Sequence, residues 1–455
     1  MSKSKVKKMK ALIIGAGEVG NNVARTLVAD GHEVTVIEKD PATASRAAGE
    51  LDALVHEGNG ASPRMLEEVR AADFDLLAAV TAIDEVNVIA ALAAKQDGVK
   101  TTVARVRDPD FFSRGEASGE DVMGIDFVID PDRVAAQDIA RTIELPGAVS
   151  IEYFADGALA LAEIVVNEDS PIAGIPLSQR ERPHPAFIVG IFRDGEASLT
   201  RPDVVPEPGD HILVSSPTEY VRSAVAYFAG HVEEIKKCVI FGGGKIGLHL
   251  ARQLEGSKIR ATILEQDEKR ARFLAEVLPK ATVLHDPGIT SEALLSAGVG
   301  EDSAFVACAG DDRANLVAAL YAKRLGSGLC LVTISKEEYT PLIDALGIDA
   351  AFSPRLIAAE EILRFVHTKS VKSIHLLRTG FEAMEMEVSP DAPLVGMAIG
   401  ETHGMLKHCR VGAVLHEGEC AIPQRGTKIS AGDRLLMLGP LGSVTEVEPS
   451  FAGES

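Results

Sequence analysis

The segment ALIIGAGEVGNNVARTLVADGHEVTVIEKD, from Ala11 to Asp40, returns nearly intact as CVIFGGGKIGLHLARQLEGSKIRATILEQD, from Cys238 to Asp267. An offset of 227 residues carries Gly15 to Gly242, Gly17 to Gly244, Gly20 to Gly247, Glu38 to Glu265 and Asp40 to Asp267 without a slip. A second window, AAVTAIDEVNVIAALAAK from Ala78, meets VACAGDDRANLVAALYAK from Val306 at an offset of 228. Asp84, Asn87 and Lys95 then face Asp312, Asn315 and Lys323, and the extra residue between the windows is what a surface loop tolerates. Further on, GIDFVIDP from Gly124 answers GIDAAFSP from Gly347, each leading into a helix-like run. A duplicated fold is the consequence. Each copy alternates strand and helix, which predicts a parallel sheet covered on both faces.

Downstream of each copy the chain has a different texture. Short strand-like runs, Phe187 to Phe192 and His211 to Val214, are separated by Pro, Gly and Asp turn residues. The counterpart later in the chain pairs Gly174 with Gly396, Val189-Gly190 with Val411-Gly412, and Pro208-Gly209-Asp210 with Ala431-Gly432-Asp433. The expected fold class is α/β: two Rossmann-like parallel-sheet domains, each followed by a small α+β module. The expected division is a basic arm at 1–8, Rossmann-like domains at 9–143 and 232–370, and small modules at 144–231 and 371–455. A chain of 455 residues accommodates this, at roughly 100–200 residues per domain.

The glycine loop carries the first functional expectation. An apolar strand precedes it, an amphipathic helix comes after it, and an acid closes the next strand, EVTVIE. Gly15 permits the tight turn, Gly17 lets phosphates approach the backbone, and Gly20 lets helix and strand pack closely. Free N–H groups and the positive end of the helix dipole then face the phosphates. Glu38 stands where a carboxylate accepts hydrogen bonds from ribose hydroxyls and repels a 2′-phosphate, which favours NAD over NADP. It does not separate NAD from ATP or ADP, which carry the same ribose diol.

Other ligand-facing positions belong at the carboxyl ends of strands. Thr81 and Ala82 end LLAAVTA. Asn59 either bonds an adenine edge or is an ordinary turn asparagine. Arg105, ending TTVARV, either reaches a phosphate or forms a surface ion pair. The second copy differs electrically: Lys245 replaces Glu18, Ala309 and Gly310 replace Thr81 and Ala82, and Ile334 replaces Arg105 with Lys336 two positions on. Since phosphate binding depends on local cations, the two sites are expected to differ in nucleotide preference or affinity.

Composition removes several classes. Lys and Arg total 46 against 67 Asp and Glu, a net charge of −21, which argues against a nucleic-acid partner. No stretch of 18 residues lacks charge, so a membrane span is not expected. The start, MSKSKVKKMK, is basic but has no apolar signal-peptide core, and Met9 is an alternative start. The five cysteines are scattered and odd in number, the pattern of reduced packing thiols.

Chemistry beyond binding needs a proton donor and a substrate pocket beside the cofactor. No Tyr-x-x-x-Lys pair occurs, and HGMLKHC, with His403, His408 and Cys409, matches no metal-ligand spacing. No catalytic residue and no metal ligand is therefore nominated. Binding without turnover makes the nucleotide a signal, acting through different affinities for two conformations.

Two GxGxxG-plus-acid units, each with an A-x-x-x-x-D-x-x-N stretch (Ala79 to Asn87; Ala307 to Asn315) and a Gly-Asp-rich β-module, resemble the RCK (KTN-type) family of Trk-type potassium-uptake regulatory proteins. The linking phrase ELPGAVSIEYFADG, Glu144 to Gly157, is similar to that family too. The resemblance runs from Met9 onward and implies two RCK N-lobes, each with an RCK C-terminal module. It implies a cytoplasmic homotetrameric ring, peripheral on the inner face of the cell membrane. There it would dock on a Trk-type potassium-translocating subunit and gate it in response to NAD(H), ATP or ADP. Carried over by position, the first site comprises Gly15, Ala16, Gly17, Glu18, Val19 and Gly20 with Glu38, Asn59, Thr81, Ala82 and Arg105. The second comprises Gly242, Gly243, Gly244, Lys245, Ile246 and Gly247 with Glu265, Ala309 and Gly310. Two other readings stay open: an NAD-dependent oxidoreductase with a duplicated cofactor domain, and a regulator of a different potassium transporter, such as a potassium/proton exchanger.

Overall fold

The computed structural model describes residues 8–29, 31–108, 111, 119–122, 124–179, 185–193, 196–230, 234–286, 289–363, 371–377, 381–406, 408–440 and 443–452. All but one residue of the basic arm lies outside them. The chain forms two compact units, one of residues 1–131 with 355–374 and one of residues 132–354 with 375–455.

The first half runs β1 (Lys10–Ile14), α1 (Glu18–Ala29), β2 (Glu33–Glu38), α2 (Pro41–Glu50), β3 (Leu54–Glu57), α3 (Pro63–Glu68), β4 (Leu76–Ala79), α4 (Asp84–Asp97), β5 (Thr101–Arg105), β6 (Gly119–Val122), β7 (Ile125–Ile129) and α5 (Pro131–Glu144). The sheet order is β3-β2-β1-β4-β5-β7-β6, parallel except for β6 against β7. Alternation along β1 sorts the two faces. Ala11 and Ile13 join Val19, Val23, Ala24 and Leu27 of α1 on one side. Leu12 and Ile14 join Val88, Ala90, Ala91 and Ala94 of α4 on the other.

The first small module is an antiparallel sheet of β8 (Ala148–Phe154), β9 (Leu159–Val165), β10 (Phe187–Arg193), β11 (Glu196–Leu199) and β12 (His211–Pro217), covered by α6 (Thr218–Ala229). Next comes a second parallel sheet: β13 (Lys237–Phe241), α7 (Lys245–Leu254), β14 (Arg260–Glu265), α8 (Glu268–Val277), β15 (Thr282–His285), α9 (Ser291–Ala297), β16 (Ser303–Ala307), α10 (Asp312–Arg324), β17 (Leu329–Thr333), α11 (Thr340–Ala345) and β18 (Ala350–Phe352). Its order, β15-β14-β13-β16-β17-β18, repeats that of the first without the antiparallel edge strand β6.

The chain closes with α12 (Pro354–Leu363), β19 (Val371–Leu376), β20 (Phe381–Glu387), α13 (His403–Leu406), β21 (Arg410–His416), β22 (Glu419–Ala421), β23 (Arg434–Pro440) and α14 (Val444–Phe451). Strands β20, β23, β21 and β22 are antiparallel neighbours. This sheet packs face to face on the first module's sheet: Val189, Leu161 and Leu213 share a core with Phe381, Ala413 and Leu436. Gly190 and Gly412 make that approach possible, since a Cβ there would stand 3.1 Å from the Phe381 ring and from Val189. Both glycines lie where their strand's register slips. The repeated Gly-Asp turns are also alike: Gly209 and Gly432 have φ of 94° and 82°, and Asp210 and Asp433 each accept a 2.7 Å bond from a backbone N–H three residues back.

Helices α5 and α12 depart from the simple repeat. Each is opened by a proline suited to the first helical turn, and the two are exchanged. Although α5 comes after the last strand of the first sheet, its Ala136, Ile139, Ala140 and Ile143 pack with Leu250, Ala251 and Leu254 of α7. Reciprocally, Ala358, Ala359 and Ile362 of α12 pack with Val19, Val23 and Leu27 of α1.

Candidate functional site: two glycine-loop crevices

In the first sheet the chain order reverses between β1 and β4, and the crevice beyond their carboxyl ends is where such sheets hold ligands. Gly15 turns there with φ of 103°, a conformation that strains any residue with a Cβ. A Cβ on Gly20 would stand 1.9 Å from the Gly15 carbonyl oxygen, so this glycine sets how closely α1 approaches the loop.

Glu38 holds the loop to the end of β2. Its Oε2 accepts from the Ala16 N–H at 2.6 Å and its Oε1 from the Asp40 N–H at 2.8 Å. Each carboxylate oxygen keeps further acceptor capacity, which is what a ribose diol needs. Asp40 caps α2 by accepting from the Thr43 N–H at 2.8 Å, and bonds from Thr43, with Arg46 nearby, hold its carboxyl below the usual range.

The D-x-x-N stretch is a brace. Asn87, fully buried, accepts from the Thr81 N–H at 2.8 Å and donates to the Thr81 and Arg105 carbonyls at 3.0 and 2.8 Å, joining the ends of β4 and β5. Asp84 accepts from the Arg107 and Asp108 N–H groups at 3.0 and 2.9 Å, fixing the loop after β5. Lys95 donates to Asp126 at 2.5 Å. Burial opposes the charge of Asp126, but the Lys95 ammonium and the bonds from Thr102 outweigh it and keep the carboxyl below the ordinary range.

These parts enclose a cleft of about 780 Å³, within the range of nucleotide pockets. Gly15, Gly17, Glu18, Val19, Glu38, Asn59, Thr81, Ala82 and Arg105 all line it. Ala16 and Gly20 lie behind the wall, buried. Asn59 lines the cleft and is also a turn residue, its Oδ1 accepting from the Ala61 N–H at 3.1 Å. Arg105 lines the cleft with its Nη2 donating to the Thr81 carbonyl at 2.9 Å. Lys39, Arg46 and Arg355 line it as well, and the sequence motifs do not single them out. Arg46 could have been found from the helix that Asp40 caps; Arg355 has no local signal, since only the exchange of α12 brings it there.

The second crevice repeats the frame. Gly242 has φ of 107°, and a Cβ on Gly247 would stand 2.1 Å from its carbonyl oxygen. Glu265 accepts from the Gly243 and Asp267 N–H groups, both at 2.8 Å. Asn315 accepts from the Ala309 N–H at 2.9 Å and donates to the Ala309 and Thr333 carbonyls, so Thr333, and not Ile334, stands in the place of Arg105; Asp312 accepts from Ser335. Gly244 and Lys245 are exposed, Ile246 packs against the core of α7, and Gly310 is open around its Cα.

The cover differs between the two. Arg270, in the place of Thr43, donates through Nε to the Gly243 carbonyl at 2.7 Å and through Nη2 to the Gly244 carbonyl at 3.3 Å, with its guanidinium 5.0 Å from the Phe273 ring centroid. The Cys308 thiol donates to the Gly242 carbonyl at 3.4 Å; burial pushes it up to about 12, with Glu265 and Asp132 adding to the shift. Cys238, Cys308 and Cys330 are buried, and Cys409 and Cys420 partly so. Among the described residues no group of three His, Cys, Asp or Glu is placed to hold a metal, and no helix is long and apolar enough to cross a membrane.

Fold and crevices define a class: a tandem pair of Rossmann-type α/β units with glycine-loop crevices, each joined to a small antiparallel module. The TrkA-N domain model matches residues 11–131 and 238–354, and the TrkA-C domain model matches residues 161–229 and 383–452. The chain belongs to the TrkA family. It is 33% identical to the Trk system potassium uptake protein TrkA of Azorhizobium caulinodans, over 97% of this chain and 98% of that one. The crystal structure of the GsuK RCK domain superposes with a TM-score of 0.62 at 19% identity, covering 99% of this chain and 96% of that one. The GsuK channel bound to NAD gives a TM-score of 0.62 at 19% identity over 99% of this chain and 80% of that one. At that identity the likeness speaks for the RCK fold.

Proposed function

We propose that this chain is a nucleotide-sensing regulatory subunit of a Trk-type potassium-uptake system, without catalytic activity of its own. The observation that carries this is the first crevice: a glycine loop held by Glu38 in a cleft of about 780 Å³, with Arg46, Arg105 and Arg355 on its wall. A carboxylate at the ribose end, with the Arg105 and Arg355 guanidiniums elsewhere on the wall to meet phosphates, suits NAD(H), ADP and ATP alike. Relatives named as Trk potassium uptake proteins and an RCK-bearing channel bound to NAD support the same reading.

Four such subunits assemble into a cytoplasmic ring on the inner face of the membrane, docked on the potassium-translocating subunit. Binding in the crevice changes the ring's conformation by differential affinity, and so changes the open probability of the pore. The module boundaries near residues 143, 231 and 370 separate the sensing crevices from the β-modules. Titration of the full chain with NADH, ADP and ATP, beside an assay for NADH oxidation with small carbonyl substrates, tests the reading. Saturable binding without turnover supports it; turnover would replace it with an oxidoreductase.

A further inference from the structure

Arg355 is the second residue of α12, and α12 is seated on the first sheet by Ala358, Ala359 and Ile362. That seating places its guanidinium on the cleft wall with Gly15, Gly17 and Arg105, in an ion pair with Glu18. Glu18 is the first residue of α1, directly after the loop glycine that phosphates approach. A carboxylate at this point repels a phosphate, whereas a guanidinium binds one through two parallel hydrogen bonds. The pair therefore occupies the phosphate end of the crevice with a cation already holding an anion of the protein's own.

The second crevice has residues of the opposite sign at the same two positions. Lys245 stands in the place of Glu18, and Asp132, opening α5, stands in the place of Arg355. The Asp132 charge is felt at Cys308, whose thiol bonds the second loop. Each loop residue thus has a counterpart of opposite sign on the helix that comes after the other sheet.

We infer that Arg355 is a phosphate-binding residue of the first crevice, taking the β-phosphate of an adenine nucleotide, and that Glu18 holds the guanidinium until the nucleotide arrives. The inference rests on the nucleotide reading of this crevice. On binding, the guanidinium exchanges the Glu18 carboxylate for phosphate oxygens, and the ligand becomes bonded to a helix that the later half of the sequence contributes. AMP has no β-phosphate and does not make this contact.

Photolabelling of the full-length protein with 8-azido-ADP, mapped to first-crevice peptides and competed by ADP or AMP, reads this site apart from the second. Arg355→Gln is expected to weaken ADP about tenfold while leaving AMP within about twofold, since one charge-assisted contact is lost. Arg355→Lys is expected to fall between, because a point charge replaces a two-pronged donor. Glu18→Gln has the opposite sign, tightening ADP severalfold, and keeps the test decisive if Arg355→Gln folds poorly. An ADP-to-AMP ratio unchanged in Arg355→Lys and Glu18→Gln would overturn the role of Arg355 and leave the crevice reading standing. If neither nucleotide displaces label from the wild-type first crevice, the nucleotide reading fails and this inference with it.

Discussion

The Glu38 carboxylate accepts the Ala16 N–H at 2.6 Å, tying the acid that ends β2 to the loop after β1. The carboxylate that anchors the loop is also the one proposed to accept the ribose hydroxyls. Glu38→Gln keeps the shape but removes the charge, and loss of charge-assisted bonds worth about 1.5–3 kcal/mol predicts a fall of roughly 10- to 100-fold in affinity for NADH and ADP. Calorimetric titration checks this; unchanged affinity would show that the ligand does not use this acid.

Gly20 and Gly247 are fixed by sterics rather than by ligand. A Cβ at either would stand about 2 Å from a loop carbonyl oxygen, 1.9 Å at Gly20 and 2.1 Å at Gly247. Gly20→Ala and Gly247→Ala are each expected to destabilise the protein by about 1–3 kcal/mol, the usual cost of overpacking. Urea unfolding with nucleotide absent measures it.

Asn87 and Asn315 brace the two crevices through matching bonds to Thr81 and Ala309. Replacement by Ala leaves buried backbone groups without partners, a cost of about 1–3 kcal/mol per group. Asn87→Ala should lower the melting temperature and weaken first-site binding; Asn315→Ala should lower it similarly and leave first-site binding unchanged.

The duplication, the two parallel sheets, the glycine turns and the acids that anchor the loops were legible because each is written in a contiguous stretch: alternating apolar strands, GxGxxG, an acid about twenty residues on. The exchange of α5 and α12 was not. Ala136, Ile139 and Ile143 present the same apolar face whichever sheet they cover, and Ala358 and Ile362 do likewise. Arg355 was invisible for that reason, and Arg270 because its effect depends on reaching back over Gly243. The D-x-x-N repeat was visible as a pattern, yet its meaning as a brace between strand ends needed the strands in place.

His249, on α7, gives the stability a pH dependence. Burial, with Arg252, Arg133 and Lys245 adding to it, lowers its pKa from the ordinary 6.5 to about 4. Below pH 6.5 the unfolded chain takes up a proton that the folded chain refuses until about pH 4, so stability falls as pH drops through that window. Melting curves from about pH 8 to 4 should show a shallower decline in His249→Gln than in wild type. Parallel curves would show that His249 does not set this dependence.

Potassium flux is the most direct readout of nucleotide sensing. The full-length protein, bound to a Trk-type potassium-translocating subunit in liposomes, is to be measured with NADH, ADP or ATP added and then with Glu38→Gln in its place. At least one nucleotide is predicted to change the flux, and Glu38→Gln to remove most of that change. Flux indifferent to all three nucleotides, with binding to the membrane subunit intact, would contradict a sensing role for the crevices.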